Sequence, residues 1–411
     1  MTVRNCKLLI IGFVVATLPG AYRPAQGAEQ QKQMNVLLLI VDDLNTRLLS
    51  DPNRYTGKVV APNIQRLAKE GVLFHNAFAA SASCVPSRTA FLSGVAPWKS
   101  GVYLNQARVM DSPALHGIPS LFRTFKDNGY YIASLGKVSH GYKTGVGYDV
   151  SMGHRRTPPP PNAPLNGIAR SAGGKLTERD WGPTRLDESE MSDKLLADAA
   201  VKELQKKHTK SFFIACGLFH PHYPWYAPKK YFDLYPLDEI VLLSDHGFHL
   251  GEKQQWSKCT LWEEATASVL MFRVPGVTKP NQVCNRPVSL LDIYPTLVDL
   301  VGLPKPDHLD GQTLVPLLSD SRAPRAEPAI MAYAGHIAVR TENHRFIRYT
   351  DGTTELYDRG KDPNEWNNQT DNPKYADIKT TLAGYLPATE GMAKPVRNPR
   401  KDPTPEERKR R

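Results

Sequence analysis

Four clusters of polar residues each follow a short apolar run, and their types limit what chemistry the chain can do. Asp42 and Asp43 stand side by side after the run 34–41. Adjacent carboxylates repel unless a cation is shared between them. Asp245-His246 closes a second run, 239–243. Hard oxygen ligands from two strand ends suit Ca²⁺ or Mg²⁺ better than Zn²⁺. Alone, Asp42-Asp43 reads equally well as a helix cap on a solvated turn; with Asp245 it reads as half of a metal site. Lys137 and His140 follow the run 130–135 and combine a cation with a proton acceptor. His220 and His222 lie in the loop Phe219-His220-Pro221-His222-Tyr223-Pro224-Trp225. Its prolines fix the backbone, and an imidazole held there can protonate a departing oxygen. His222 is the expected acid, with His220 behind it.

These residues need strand ends to hold them. The run 34–41 is continuously apolar, as a strand buried on both faces of a parallel sheet must be. A helix is expected from residue 61 to 70, stopped by Gly71, then an extended segment 72–78. Further helices are expected over 121–128 and 186–207, and strands over 130–135, 211–218 and 239–243. Strands alternating with helices, with polar residues at strand C-termini, predict a wound α/β fold: a mostly parallel sheet sandwiched by helices, its site along that edge. The loop 155–164, with four consecutive prolines at 158–161, is expected to be irregular and receives no chemistry. From residue 327 the texture changes to short strands over 330–341, 344–349 and 354–357, then a helix over 375–386.

The run Ser83-Cys84-Val85-Pro86-Ser87-Arg88-Thr89-Ala90-Phe91-Leu92-Ser93-Gly94 resembles the sulfatase signature, a Cys-x-Pro-Ser-Arg core before a small, apolar, Gly-ended stretch. Without its partners it is a buried Cys before a Pro-initiated helix, with Arg88 on the surface. The resemblance implies that a formylglycine-generating or sulfatase-maturing enzyme oxidises Cys84 to formylglycine. A thiol offers one nucleophilic group. A hydrated aldehyde offers two hydroxyls, one to take the sulfuryl group and one to drive its elimination. The resemblance further implies one Ca²⁺ bound by Asp42, Asp43, the Cys84-derived oxygen, Asp245 and His246. Arg88 would anchor the modified residue. Lys137 and Lys258 would neutralise sulfate oxygens, and His140 would take the proton from the second hydroxyl. The similarity runs from residue 35 to about 387 and is greatest to iduronate 2-sulfatase-like members. That branch is favoured by His246 and by the Lys137-x-x-His140 spacing. It implies an alkaline-phosphatase-like fold with a small C-terminal antiparallel-sheet subdomain, and a sulfated glycan or its sugar units as substrate. Two alternatives stay open: a phosphoester or phosphonate hydrolase of the same superfamily, and an inactive glycan-binding remnant.

The formal net charge is +11 over 411 residues. Arg4, Lys7 and Arg23 supply three of these charges with no acid near them. From Lys394 onward, eight basic residues stand against three acidic ones. Without those two regions the body carries +3, too little to imply nucleic acid. Residues 1–27 have the layout of a cleaved signal peptide: basic start, apolar 8–18, small residues before Gly27. The apolar run is too short to span a bilayer, so no stable membrane insertion is expected and a periplasmic or extracellular enzyme is. The remaining divisions expected are a catalytic domain 28–326, an α+β subdomain 327–388 and a basic, disordered tail 389–411. Of five cysteines, Cys216, Cys259 and Cys284 are outside both leader and signature. Three thiols define no pairing, and buried free thiols are the expectation.

One joint departs from the family. Parallel strands need a crossover of about a dozen residues or more, usually helical. Between 211–218 and 239–243 the chain offers only a segment holding Pro221, Pro224, Pro228 and Pro236, which excludes a long helix. A crossover segment is therefore expected to be missing near 239–240, leaving the sheet less covered on one face.

Overall fold

The computed structural model describes residues 34–44, 61–154, 156–160, 163, 165, 180–232, 247, 249, 250, 252–274 and 276–396. The leader, the tail from residue 397, the strand expected over 239–243, the joint at 239–240, and Asp245 and His246 lie outside the described residues. The first part of the expected tail is not disordered: the Ala393 and Val396 amides donate to the Trp98 and Gly101 carbonyls at 2.7 and 2.8 Å.

The parallel sheet is present. It contains β1 (Val36–Val41), β3 (Tyr131–Gly136), β4 (Val150–Gly153) and β5 (Phe212–Leu218), in the order β1-β5-β3-β4. Every neighbour is parallel, with Val36 beside Phe213, Tyr131 beside Phe212 and Ala133 beside Val150. Helices cover both faces. On one, Val36, Ile40, Ile132 and Phe213 pack with α2 (Cys84–Ser93) and α3 (Leu121–Asp127). Phe122 meets Phe213 edge-on at 5.2 Å and Phe125 meets Tyr130 at 4.8 Å, contacts worth about 0.5–1.5 kcal/mol each beyond burial. On the other face, Ala133, Leu135, Ile214 and Cys216 lie under Leu196 and Ala200 of α4 (Ser192–Gln205).

The helix expected over 186–207 begins only at Ser192, because the Asp187 side chain caps a 3₁₀ turn, Glu188–Glu190, in a capping box. The segment β2 (Val72–Phe78), which follows α1 (Pro62–Glu70), belongs to a separate mixed sheet. Its partners are β6 (Ala267–Phe272, antiparallel), β7 (Gln282–Cys284, parallel) and β8 (Val288–Ser289, parallel). Nothing in the local pattern of β2 reveals partners nearly two hundred residues away.

A third sheet is an antiparallel meander of β9 (Ala329–Tyr333), β10 (His336–Arg340), β11 (His344–Arg348) and β12 (Thr354–Asp358), followed by a helix over Ala376–Gly384. The expected extended stretch 330–341 is split by a turn at Ala334-Gly335, both at positive φ. Under this sheet lies a buried ion network. Glu263 takes Arg340 at 3.0 Å and Arg359 at 3.1 Å, and also pairs with Arg345; Arg345 reaches Glu365 at 2.7 Å. Burial works to raise the Glu263 pKa, but Arg340, Arg359 and Arg345 hold it well below the usual carboxylate range. We expect Glu263→Gln to cost about 3–5 kcal/mol, since it leaves buried cations uncompensated. A depressed pKa gives stability that is present above the ordinary glutamate range and lost as pH falls through the folded value. The gap between wild type and variant in thermal unfolding should therefore persist from neutral pH through mild acid and narrow only as pH falls below the ordinary glutamate range.

The sheet face beneath α4 is only partly covered. Leu37 and Leu39 pair with Ile214 and Cys216, so they share the face that α4 packs on, yet they are 44% and 56% exposed. Leu195, Val201 and Leu204 of α4 are exposed too.

Candidate active site

The ends of β1, β3 and β5 and the start of α2 converge on one polar cluster. β1 keeps its register to the last residue, with the Asp42 amide donating to the Leu218 carbonyl at 3.1 Å. Asp43 then turns at φ 57, a left-handed conformation uncommon outside glycine. β3 ends at Gly136, where an added Cβ would lie 2.2 Å from the Gly217 carbonyl oxygen. Gly217 is reciprocal, since its Cβ would lie 2.1 Å from the Lys137 carbonyl oxygen. This close approach lets the Lys137 amide bond to Gly217 at 2.8 Å and sets the side chain beside β1.

Cys84 is the first residue of α2 and is fully buried. Its Sγ is 3.1 Å from Lys258 Nζ, 3.7 Å from Asp43 Oδ1 and 4.0 Å from Lys137 Nζ. Arg88, one turn on, is buried, not on the surface. Its Nη2 donates to Asp42 Oδ1 at 2.8 Å and its Nη1 to the carbonyl of Val138 at 3.2 Å, as well as to that of Lys137. Lys137 donates to the second Asp42 oxygen, and Lys258 to Asp43. Two adjacent carboxylates thus share three cations in a desolvated pocket.

His222 belongs to this cluster. One ligand atom from each of Asp42, Asp43, Cys84 and His222 lies within 4.8 Å of the others. A carbonyl only accepts, so the 3.0 Å contact between His222 Nδ1 and the Tyr223 oxygen puts the proton on Nδ1 and leaves Nε2 as the basic atom. Burial lowers the His222 pKa, with Asp43 opposing. Both effects leave Nε2 suited either to ligate a metal or, once protonated, to act as an acid. His140 occupies a left-handed position three residues after Lys137. His220 sits behind, as expected: its Nδ1 is 2.7 Å from Asp193, which also accepts from the amides of Phe219 and His220. Burial pushes the Asp193 pKa up, but the hydrogen bond and charge of His220 together with the amides of Phe219 and His220 more than offset it, and the carboxyl stays below its usual range.

Sequence reasoning missed Asp193. It lies in the first turn of a helix, where an acid needs no special reason. It missed Phe219 as well, around whose ring His222, His220 and Lys137 all pack. None of the four described cysteines, Cys84, Cys216, Cys259 and Cys284, is in a disulfide, and Cys259 is partly exposed.

Residues 34–237 match the family profile described as Sulfatase, and residues 251–390 match that described as N-sulphoglucosamine sulphohydrolase, C-terminal. A sulfatase of Formosa agariphila is 30% identical, with 86% of each chain covered. The chain belongs to the sulfatase family. The activity of this sulfatase is hydrolysis of sulfuric esters. Iduronate 2-sulfatase of Mus musculus is 27% identical over 72% of this sulfatase and 73% of its own length. The phosphonate monoester hydrolase of Agrobacterium radiobacter shares the fold, with a TM-score of 0.68, 19% identity, and 86% and 94% of the two chains covered. The match to the Formosa sulfatase runs over 441 residues, more than the 411 of this sulfatase, so the relative carries stretches with no counterpart here.

Proposed function

We propose that this sulfatase is an exported enzyme cleaving sulfate monoesters on a sulfated glycan or its sugar units, with formylglycine made from Cys84 as nucleophile and one Ca²⁺ beside it. The observation that carries the reading is the placement of Cys84 between Lys137 and Lys258, against a carboxylate pair compensated by buried Arg88. Two ammonium groups beside the nucleophile fit an anionic ester. They gain strength in a desolvated pocket, where charge stabilisation is worth most. Asp42 and Asp43 would hold the metal: two buried oxygen donors within 4.8 Å of the Cys84 atom suit a hard cation. By resemblance Asp245 and His246 would complete the set. The bound ion would supply positive charge against the sulfate oxygens. His222 must gain a proton before giving one to the leaving oxygen, and an anionic ester beside it favours that protonated form. His140 would take the proton of the second hydroxyl. Cys84 is fully buried, so a maturing enzyme would reach it in the unfolded chain. Among the described residues no helix is long and apolar enough to cross a membrane.

Parallel assays with para-nitrophenyl sulfate and para-nitrophenyl phosphate test the reaction class. The sulfate should turn over faster by orders of magnitude; the reverse preference would select the phosphoester alternative.

The inactive remnant is favoured by one observation, the exposure of Leu37 and Leu39 on the sheet face that α4 packs on. A lost crossover segment near 239–240 accounts for it, since each large side chain left unburied forfeits about 1.5–3 kcal/mol. A version with a family-type helix inserted after Glu239 should then unfold at higher temperature and turn over faster. Equal stability and rate in the two proteins would remove this reading.

A further inference from the structure

Arg156, from the stretch 155–164 to which no chemistry was assigned, lies beside the Phe219 ring at the edge of the active site. His154, just after β4, stacks on the Phe219 ring with centroids 5.7 Å apart and planes 4° from parallel. The Arg156 guanidinium carbon lies 5.6 Å from the same centroid, and Lys137 Nζ lies 5.3 Å from it. Arg156 and Lys137 are therefore no further apart than those two distances together. His222, in the nucleophile cluster, has its ring 4.9 Å from Phe219. One aromatic ring thus joins the catalytic cations to two basic groups outside the pocket.

These two groups are held but not satisfied. Thr157 is buried and fixes the loop: its hydroxyl is 3.1 Å from that of Ser192 and accepts from the Ser192 amide at 3.2 Å. Asp193, the next residue, holds the amides of Phe219 and His220. The first turn of α4 therefore anchors both segments and sets their spacing. Yet His154 and Arg156 are exposed, and among the described residues neither has a hydrogen-bond or ion-pair partner. The charges felt by His154 are mostly positive: Lys137, Arg156 and Arg88 push its pKa down after burial has done so, and Asp42 alone opposes them. A guanidinium with free donors, fixed on an aromatic ring in a positive field, is built to receive an oxyanion.

We infer that His154 and Arg156 form an outer subsite for a second anionic group, a carboxylate or a further sulfate, on the same substrate whose ester is cleaved beside Lys137 and Lys258. This rests on the sulfatase reading and narrows its substrates to glycan units with at least two negative charges. Subsite contacts of this kind act on ground state and transition state alike, so they should appear in KM.

The test compares wild type, Arg156→Gln, Arg156→Lys and His154→Gln on three esters: para-nitrophenyl sulfate, a uronic acid carrying one sulfate, and a disulfated monosaccharide without a carboxylate. Arg156→Gln should raise KM about tenfold on the doubly charged sugars, the loss of roughly one charge-assisted bond. Its kcat should change less than about twofold, Arg156→Lys should recover most of the loss, and His154→Gln should shift KM in the same direction. Para-nitrophenyl sulfate, which offers no second anion, is the reference. A loss confined to the uronic acid identifies a carboxylate subsite, and one confined to the disulfated sugar a sulfate subsite. A KM that moves no more on both sugars than on the reference overturns the inference. Calorimetric binding of both the sulfated uronic acid and the disulfated monosaccharide separates this from failure of the sulfatase reading. Whether or not any ester turns over, about tenfold weaker binding of either sugar to Arg156→Gln supports the subsite and unchanged binding of both overturns it.

Discussion

Cys84→Ala should lower sulfate ester turnover by about 10⁴-fold or more while the protein still folds. The nucleophile is lost outright, and the flanking Lys137 and Lys258 have no covalent role to substitute for it. The structural cost is small. Cys84 is buried at the first position of α2, and the change removes a single sulfur atom. A buried truncation of this size costs about 1 kcal/mol, well inside the 5–15 kcal/mol margin of an ordinary domain. Thermal unfolding within a few degrees of wild type, with no measurable turnover, is the expected pair of results. Comparable turnover by the variant would remove Cys84 from the reaction.

Asp42→Asn should cost both stability and activity. Asp42 is fully buried, and its two oxygens receive Arg88 and Lys137, themselves buried. An amide of the same shape removes the negative charge and places an NH₂ against one of the two cations. Breaking a buried pair by neutralising one partner costs about 3–5 kcal/mol. The same change weakens a hard-cation site, so bound metal should fall with activity. Unfolding curves and metal analysis on the purified variant check both. Full metal occupancy, or stability equal to wild type, would contradict the roles given to Asp42.

What could be read in the sequence was what depends on local pattern. The apolar runs that became β1, β3 and β5 are continuous and bounded by polar residues, so their ends, and hence Asp42, Asp43 and Lys137, were placed within a residue or two, although Leu37 and Leu39 leave one face of β1 exposed. Lys258 was placed by motif spacing and does reach Cys84. Long-range pairing was not legible. The partners of β2 come from residues 267–289, and no period in Val72–Phe78 names them. The burial of Arg88 was not legible either, because only the meeting of β1, β3 and α2 turns that side chain inward. His154, Arg156 and Asp193 were passed over for a related reason. Their importance lies in the ring of Phe219 and the first turn of α4, which bring together segments that are ordinary when read singly.

The most direct measurement is the mass of the tryptic peptide running from Glu70 to Arg88, taken from protein made in a host that supplies a sulfatase-maturing enzyme. The account predicts that Cys84 has lost its thiol and gained a carbonyl oxygen, a change that also lets the peptide react with a hydrazide probe. Active enzyme whose Cys84 peptide carries only an unmodified thiol would contradict it.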